Sequence, residues 1–177
     1  MKLKFILFIL FLTIVQSCMR RLPDEELTIA RKPYTGKEIR IDGYYSGKSY
    51  QSGNTTYITY IFFFSNGVVY TSTGYDSKIK DINEIIKDLD RERNSKDYWS
   101  VFQIENDTIH EQGWTNSADG FIGDYRMYSL KDDYYKIIND TTILFERTTG
   151  YITSSHNDYY YFKEFSPKPD STNFVIK

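Results

Sequence analysis

The stretch "TTYITYIFFFSNGVVYTST", residues 55–73, decides the fold. Two runs rich in β-branched and aromatic residues flank Asn66-Gly67. That dipeptide accepts the positive φ angles of a type I′ turn, so the stretch predicts a β-hairpin. Within it Ile61, Phe62, Phe63 and Phe64 are apolar without alternation. A strand resting on a single core alternates, so this one needs cover on both faces.

The neighbouring segments supply both more strands and a cover. "EIRIDGYYSG", residues 38–47, sets Ile39 and Ile41 against Arg40 and Asp42 and predicts a first strand with one wet face. In "SKIKDINEIIKDLDRER", Ile79, Ile82, Ile85, Ile86 and Leu89 share one helical face, while Lys80, Asp81, Glu84, Lys87 and Asp88 take the other. This predicts one amphipathic helix at about 77–93, capped by Asp76 or Ser77. "FQIENDTIHEQGW" (102–114) and "YKIINDTTILFER" (135–147) each place apolar runs around Asn-Asp-Thr and read as hairpins. "YRMYSL" (125–130), "YYYFKEFS" (159–166) and "NFVIK" (173–177) add strands, for roughly eight to ten in all. The fold class is mainly β, an antiparallel meander closing into a barrel that removes exposed edges, or alternatively a β-sandwich.

The chain opens "MKLKFILFILFLTIVQSC". Lys2 and Lys4 precede an apolar run from Phe5 to Val15, the layout of a secretory signal and shorter than the ~20 residues a spanning helix needs. "VQSC", residues 15–18, resembles the lipobox of bacterial lipoproteins, with Gln16 where that family more often has a small side chain. The resemblance implies cleavage between Ser17 and Cys18, and membrane attachment through covalent lipid on Cys18. Cysteine suits that chemistry because its thiolate is the nucleophile. Two acyl chains would give stable anchoring. Met19 is not the aspartate that retains such proteins at the inner membrane, so the resemblance implies the bacterial cell envelope, at the outer membrane. Residues 18–36 carry mixed charge with Pro23 and Pro33 and read as a flexible tether, reaching about 60 Å if extended. Residues 37–177 then form a single β-rich domain.

Composition excludes several classes of function. Removing residues 1–17 takes away two lysines and no acid, leaving 20 basic against 24 acidic residues, a net −4 without a basic block. Such a chain has no footprint for nucleic acid. Cys18 is the one cysteine, which rules out an internal disulfide or a cysteine-rich metal site.

The domain resembles the small lipocalin-like barrels of bacterial lipoproteins, through "IDGYY" on the first strand and the succession of hairpins with Asn-Asp or Asn-Gly tips. Lipocalins proper have tryptophan two residues after the first-strand glycine, where this chain has Tyr45, and their helix follows the last strand. The resemblance therefore implies architecture and transfers no ligand site.

Catalytic and metal patterns are sparse. "GYYSGKS", residues 43–49, has three residues between its glycines where a phosphate loop needs four, and reads as a strand end with a glycine turn. His110 and His156 lack spaced ligand partners, so no metal and no cofactor is expected. The acid pairs Asp132-Asp133 and Glu105 with Asp107 read as solvated turn residues. The domain is expected to be non-enzymatic. Its 31 aromatic residues suit a pocket or an interface, with Tyr44, Tyr60, Trp99 and Trp114 as a candidate binding surface. Expected partners are a small apolar or sugar-like ligand or, alternatively, an envelope protein. Three Asp-Ser/Thr triplets resemble an acceptor pattern of bacterial O-glycosylation, making Thr108, Thr141 and Ser171 candidates for modification.

Overall fold

The computed structural model describes residues 21–52, 55–75, 82–117, 125–150 and 153–176. Cys18, Ser17, Met19, the leader and the expected start of the helix before Ile82 lie outside them. In chain order the elements are β1 (Arg21–Leu22), β2 (Gly43–Ser52), β3 (Thr55–Phe63), β4 (Val68–Tyr75), α1 (Ile82–Arg91), β5 (Trp99–Glu105) and β6 (Thr108–Asn116). They continue with β7 (Tyr125–Arg126), β8 (Tyr128–Asn139), β9 (Thr142–Gly150) and β10 (Asp158–Glu164). Eight strands close into a barrel in the order β10-β2-β3-β4-β5-β6-β8-β9, and antiparallel pairing of β10 with β9 completes the ring. The barrel expectation therefore holds over the sandwich. β1 and β7 form a separate parallel pair.

The hairpin tips follow local chemistry. β3 and β4 join through Ser65-Asn66-Gly67, with Gly67 at φ +81° and Phe64 N donating to Val68 O at 2.9 Å. Only the glycine is left-handed, so this is a three-residue loop with a bulge rather than the expected two-residue I′ turn. The two left-handed residues in succession are Asn106 and Asp107, between the paired Glu105 and Thr108. Their short polar side chains tolerate that conformation. At the third tip Asn139 Oδ1 accepts from Thr141 N at 3.0 Å. All three tips lie at one end of the barrel.

The doubly apolar run of β3 acquires the two covers it requires. Ile61 and Phe63 point inward with Tyr45, Val69, Phe102, Ile109, Tyr135, Ile143 and Tyr160. Phe62 and Phe64 point outward with Tyr70, Trp99, Val101 and Trp114, forming a second core outside the wall. Each fully buried large side chain of this kind stabilises by about 1.5–3 kcal/mol. Ile85 and Leu89 of α1 seal that outer core. Asp88, expected on the solvated helix face, is also buried and pairs with Arg91 at 2.7 Å. The end of the helix is tied down by Trp99 Nε1 donating to Glu92 O at 2.9 Å and by Tyr70 OH donating to Glu92 Oε2 at 2.7 Å.

The segments flanking the barrel correct four expectations. From Arg21 onward the expected tether is a strap laid along the outer wall. Trp114 Nε1 donates to Glu25 O at 2.7 Å, Gln112 Oε1 accepts from Thr28 N at 2.7 Å, and Leu27 and Ile29 join the outer core. Alternating apolar residues in "ELTIA" give the strap a half-buried apolar edge that outweighs its mixed charge. Residues 38–42 are not in a strand: Ile39 is buried and Ile41 half-buried in a plug across the tip end. There Arg40 N donates to Asp140 O at 3.0 Å. "GYYSGKS" contains no turn, because β2 runs unbroken through Gly47. An added Cβ at Gly47 would stand 2.2 Å from the Tyr159 carbonyl oxygen, so the glycine admits β10. "NFVIK" is not a strand either. Asn173 Oδ1 takes the Val175 and Ile176 amides at 3.2 and 2.8 Å, a local turn that competes with pairing and seats Ile176 in the outer core.

Candidate functional site

Inward-facing positions change character along the barrel axis. At the tip end they are apolar, and Tyr34 closes over Phe102 at 5.7 Å. Toward the other end the register lines up Ser100 with Gly113 and Lys131, and Glu111 with Asp133 and Thr148. Five polar side chains thereby converge on one stretch of inner wall, with a gap at Gly113.

Ser100 Oγ donates to Glu111 Oε1 at 2.5 Å. Lys131 Nζ donates to Asp133 Oδ2 at 2.9 Å, and Thr148 Oγ1 donates to Asp133 Oδ1. Glu111 is 2% exposed, whereas the Lys131 side chain keeps 28% of its surface. Burial, and secondarily the charge of Asp133, push the Glu111 carboxyl up to about 7. The Asp133 carboxylate raises Lys131, so that ammonium stays charged. Burial likewise raises the Tyr135 and Tyr160 phenols, which remain protonated. One ammonium thus stands against two carboxyl groups: it is bonded to Asp133, and for Glu111 its charge only partly offsets the burial that holds that carboxyl toward its neutral form.

A cavity of about 280 Å³ adjoins the cluster. Its wall includes Thr71, Thr73, Asp97, Tyr98, Ser100, Glu111, Gly113 and Lys131. Trp99 and Trp114 also border it, but strand alternation turns their indoles to the outer face, where both N–H groups are bonded. The cavity therefore offers hydroxyls, two carboxyls, the Lys131 ammonium and the single ring of Tyr98 rather than an indole platform.

This arrangement corrects the reading of Asp132-Asp133 as turn residues. Both lie within β8, Asp133 inward against Lys131 and Asp132 outward. There Asp132 Oδ1 accepts from Gln112 Nε2 at 2.9 Å and lies 2.6 Å from His110 Nε2. Asp107 is in a turn as expected, and Glu105 ends β5. Of the expected binding surface of Tyr44, Tyr60, Trp99 and Trp114, the two tryptophans border the cavity. All four are buried in the outer core, beneath the layer of helix, strap and C-terminal tail. Of the modification candidates, Thr108 begins β6, Thr141 Oγ1 donates to Asn139 Oδ1 at 2.9 Å, and Ser171 Oγ accepts from Asn66 Nδ2 at 2.9 Å. All three are half-buried.

Glu111, Lys131 and Ser100 escaped sequence reasoning. The available signal was the same-face spacing of Lys131 with Asp133 and of Ile109 with Glu111 and Gly113, read at a period of two.

Among the described residues no group of three or more His, Cys, Asp or Glu is placed to hold a metal ion. Fold and site together define a closed up-and-down barrel with a polar, carboxyl-bearing cavity at one end. Compared with protein-family models, with curated proteins and with solved structures, the chain gives no match.

Proposed function

We propose that this chain is a lipid-anchored lipoprotein of the bacterial cell envelope, on the outer membrane, whose non-enzymatic barrel binds a small sugar-like ligand. The cavity carries the reading: hydroxyls, a buried carboxyl and a volume of about 280 Å³ suit a molecule of monosaccharide size. The same polar wall disfavours an apolar ligand. Lipidation at Cys18 rests on the leader and on "VQSC". Because the strap is docked from Arg21, Cys18–Arg20 would hold the barrel within about 10 Å of its lipid, in place of the long reach of a free tether. The anchored end is also the cavity end: β1 pairs with Tyr125, and nearby Tyr128 OH donates at 3.2 Å to Asp97 Oδ2 on the cavity border.

Two measurements test this. Titrating monosaccharides into the ¹⁵N-labelled chain is expected to shift the amides of Thr71, Ser100, Glu111 and Gly113, and silence there across the panel overturns ligand binding. Cys18→Ser is expected to abolish fatty-acid incorporation and membrane partitioning, and retention of both overturns the anchor.

Docking to an envelope protein is the second reading. It is favoured by Tyr159 and Tyr161, stacked at 6.4 Å on the outer wall and 46% and 55% exposed.

A further inference from the structure

Two buried side-chain polar atoms among the described residues lack a hydrogen bond, Thr71 Oγ1 and Glu111 Oε2. Both belong to residues of the same cavity wall. Buried polar atoms are nearly always satisfied; the Tyr135 hydroxyl faces the Glu111 carboxyl, yet Oε2 and Thr71 Oγ1 are left without a bond of normal geometry, a coincident pair that points to a partner from outside the chain. The charges indicate its sign. Lys131 is committed to Asp133 at 2.9 Å, and Asp97 adds a further acid at the border. With Glu111 ionised, the inner cluster carries one uncompensated negative charge.

Resting on the ligand-binding reading, we infer that the cavity takes a small hydroxylated ligand bearing a primary ammonium, with the Glu111 carboxylate as its counter-ion and Thr71 Oγ1 as a second acceptor. An ammonium is compact and brings three N–H donors. A quaternary ammonium has no donor for Oε2 and would need an aromatic cage, whereas the indoles here face outward. An anion meets Asp97, Glu111 and Asp133 with one lysine that is already paired.

A proton and the ligand's ammonium compete for the same carboxylate. The groups facing Glu111 are Ser100 from β5, Asp133, Lys131 and Tyr135 from β8, and at longer range Tyr160 from β10. The phenols stay neutral and the Lys131–Asp133 pair stays charged, so the competing proton is that of Glu111. Affinity therefore rises by up to about tenfold per pH unit below pH ~7 and levels off above it until the ligand's own ammonium begins to lose its proton.

The test is calorimetric titration of the full chain in detergent between pH 5.5 and 8.5. The probes are glucosamine, N-acetylglucosamine, glycerophosphoethanolamine and tetramethylammonium. Expected are binding of glucosamine or glycerophosphoethanolamine at least tenfold tighter than of the other two, and proton release at pH 6. Whichever amine binds tighter assigns the source, a saccharide or a lipid headgroup. Glu111→Gln is expected to weaken the amines at least tenfold while sparing N-acetylglucosamine. Ser100→Ala, which deprives Glu111 of a donor, is expected to move the pH midpoint upward. N-acetylglucosamine binding as tightly as glucosamine overturns the ammonium inference and leaves the sugar-binding proposal standing. Silence of all four probes, with no response to the wider monosaccharide panel, overturns both.

Discussion

Glu111→Gln separates the part of stability that the buried acid costs from the part it supplies. In the folded chain the carboxyl is raised from 4.5 to about 7, chiefly by burial. The folded state therefore holds its proton where the unfolded chain has released it. That contribution is fully present below pH 4.5 and is lost as pH rises through about 7. A displacement of this size corresponds to on the order of 3 kcal/mol, a sizeable fraction of a domain's net stability. Glutamine has the same shape and no charge, so its stability should lack this slope. The difference between the two proteins reports Glu111 together with its electrostatic coupling to Asp133 and Lys131. Urea unfolding at pH 5, 6, 7 and 8 reads it directly. At pH 5 the two are expected to be within about 1 kcal/mol, the Ser100 bond being retained. At pH 8 the variant is expected to be the more stable, with its midpoint higher by roughly 1–3 M urea. A difference that stays flat across pH 5–8, or a glutamine variant that is weaker at pH 8, refutes the account of the buried cluster.

Two further substitutions test the strap and the tip. Gln112→Ala removes the acceptor of Thr28 N and Ile29 N at 2.7 and 3.1 Å and the donor to Asp132. It is expected to cost about 1–3 kcal/mol and to speed tryptic cleavage after Arg31 and Lys32, followed by mass spectrometry. Gly67→Ala places a Cβ 2.1 Å from the Lys32 carbonyl oxygen at a backbone φ of +81°. A loss of about 1–3 kcal/mol in urea unfolding is expected, against near-neutrality if that conformation were relaxed.

The legibility of the fold in the sequence follows from which signals are local. Ile61–Phe64 announces two covers because four consecutive apolar residues cannot share one face, and both cores are present. Asn66-Gly67 announces a reversal, but not its loop length, which is set by where Phe64 and Val68 pair. Asp132-Asp133 misleads because adjacent acids resemble a turn, while their acceptability in a strand depends on partners distant in sequence: Thr148 on β9, and Gln112 and His110 on β6. The strap misleads similarly. Its composition is that of a linker, and its order depends on Gln112, 84 residues beyond Thr28.

The division of the barrel into two cores bears on why the polar cavity is tolerated. A barrel of eight strands has an interior just wide enough for side chains to fill it, and filling it with apolar groups is the stable solution. This chain does so only at the tip end, where Tyr34, Phe63 and Phe102 meet. At the other end it buries an acid, Glu111, whose burial outweighs the nearby charge of Lys131. The outer core supplies compensating burial, with Phe62, Tyr70 and Trp99 sealed by α1, the strap and the C-terminal tail. The layer that supports the costly interior thus begins in the segment leading from Cys18. If the anchor is as proposed, tension on that segment acts first on β1, then on Asp24 and Glu25, whose bonds to Tyr128 and Leu130 hold the start of β8. Lys131 and Asp133 lie one and three residues beyond Leu130 on that strand. Detaching the strap should therefore loosen the cavity before the tip end, an order that hydrogen exchange at Ser100 and Glu111 against Phe63 and Phe102 would reveal.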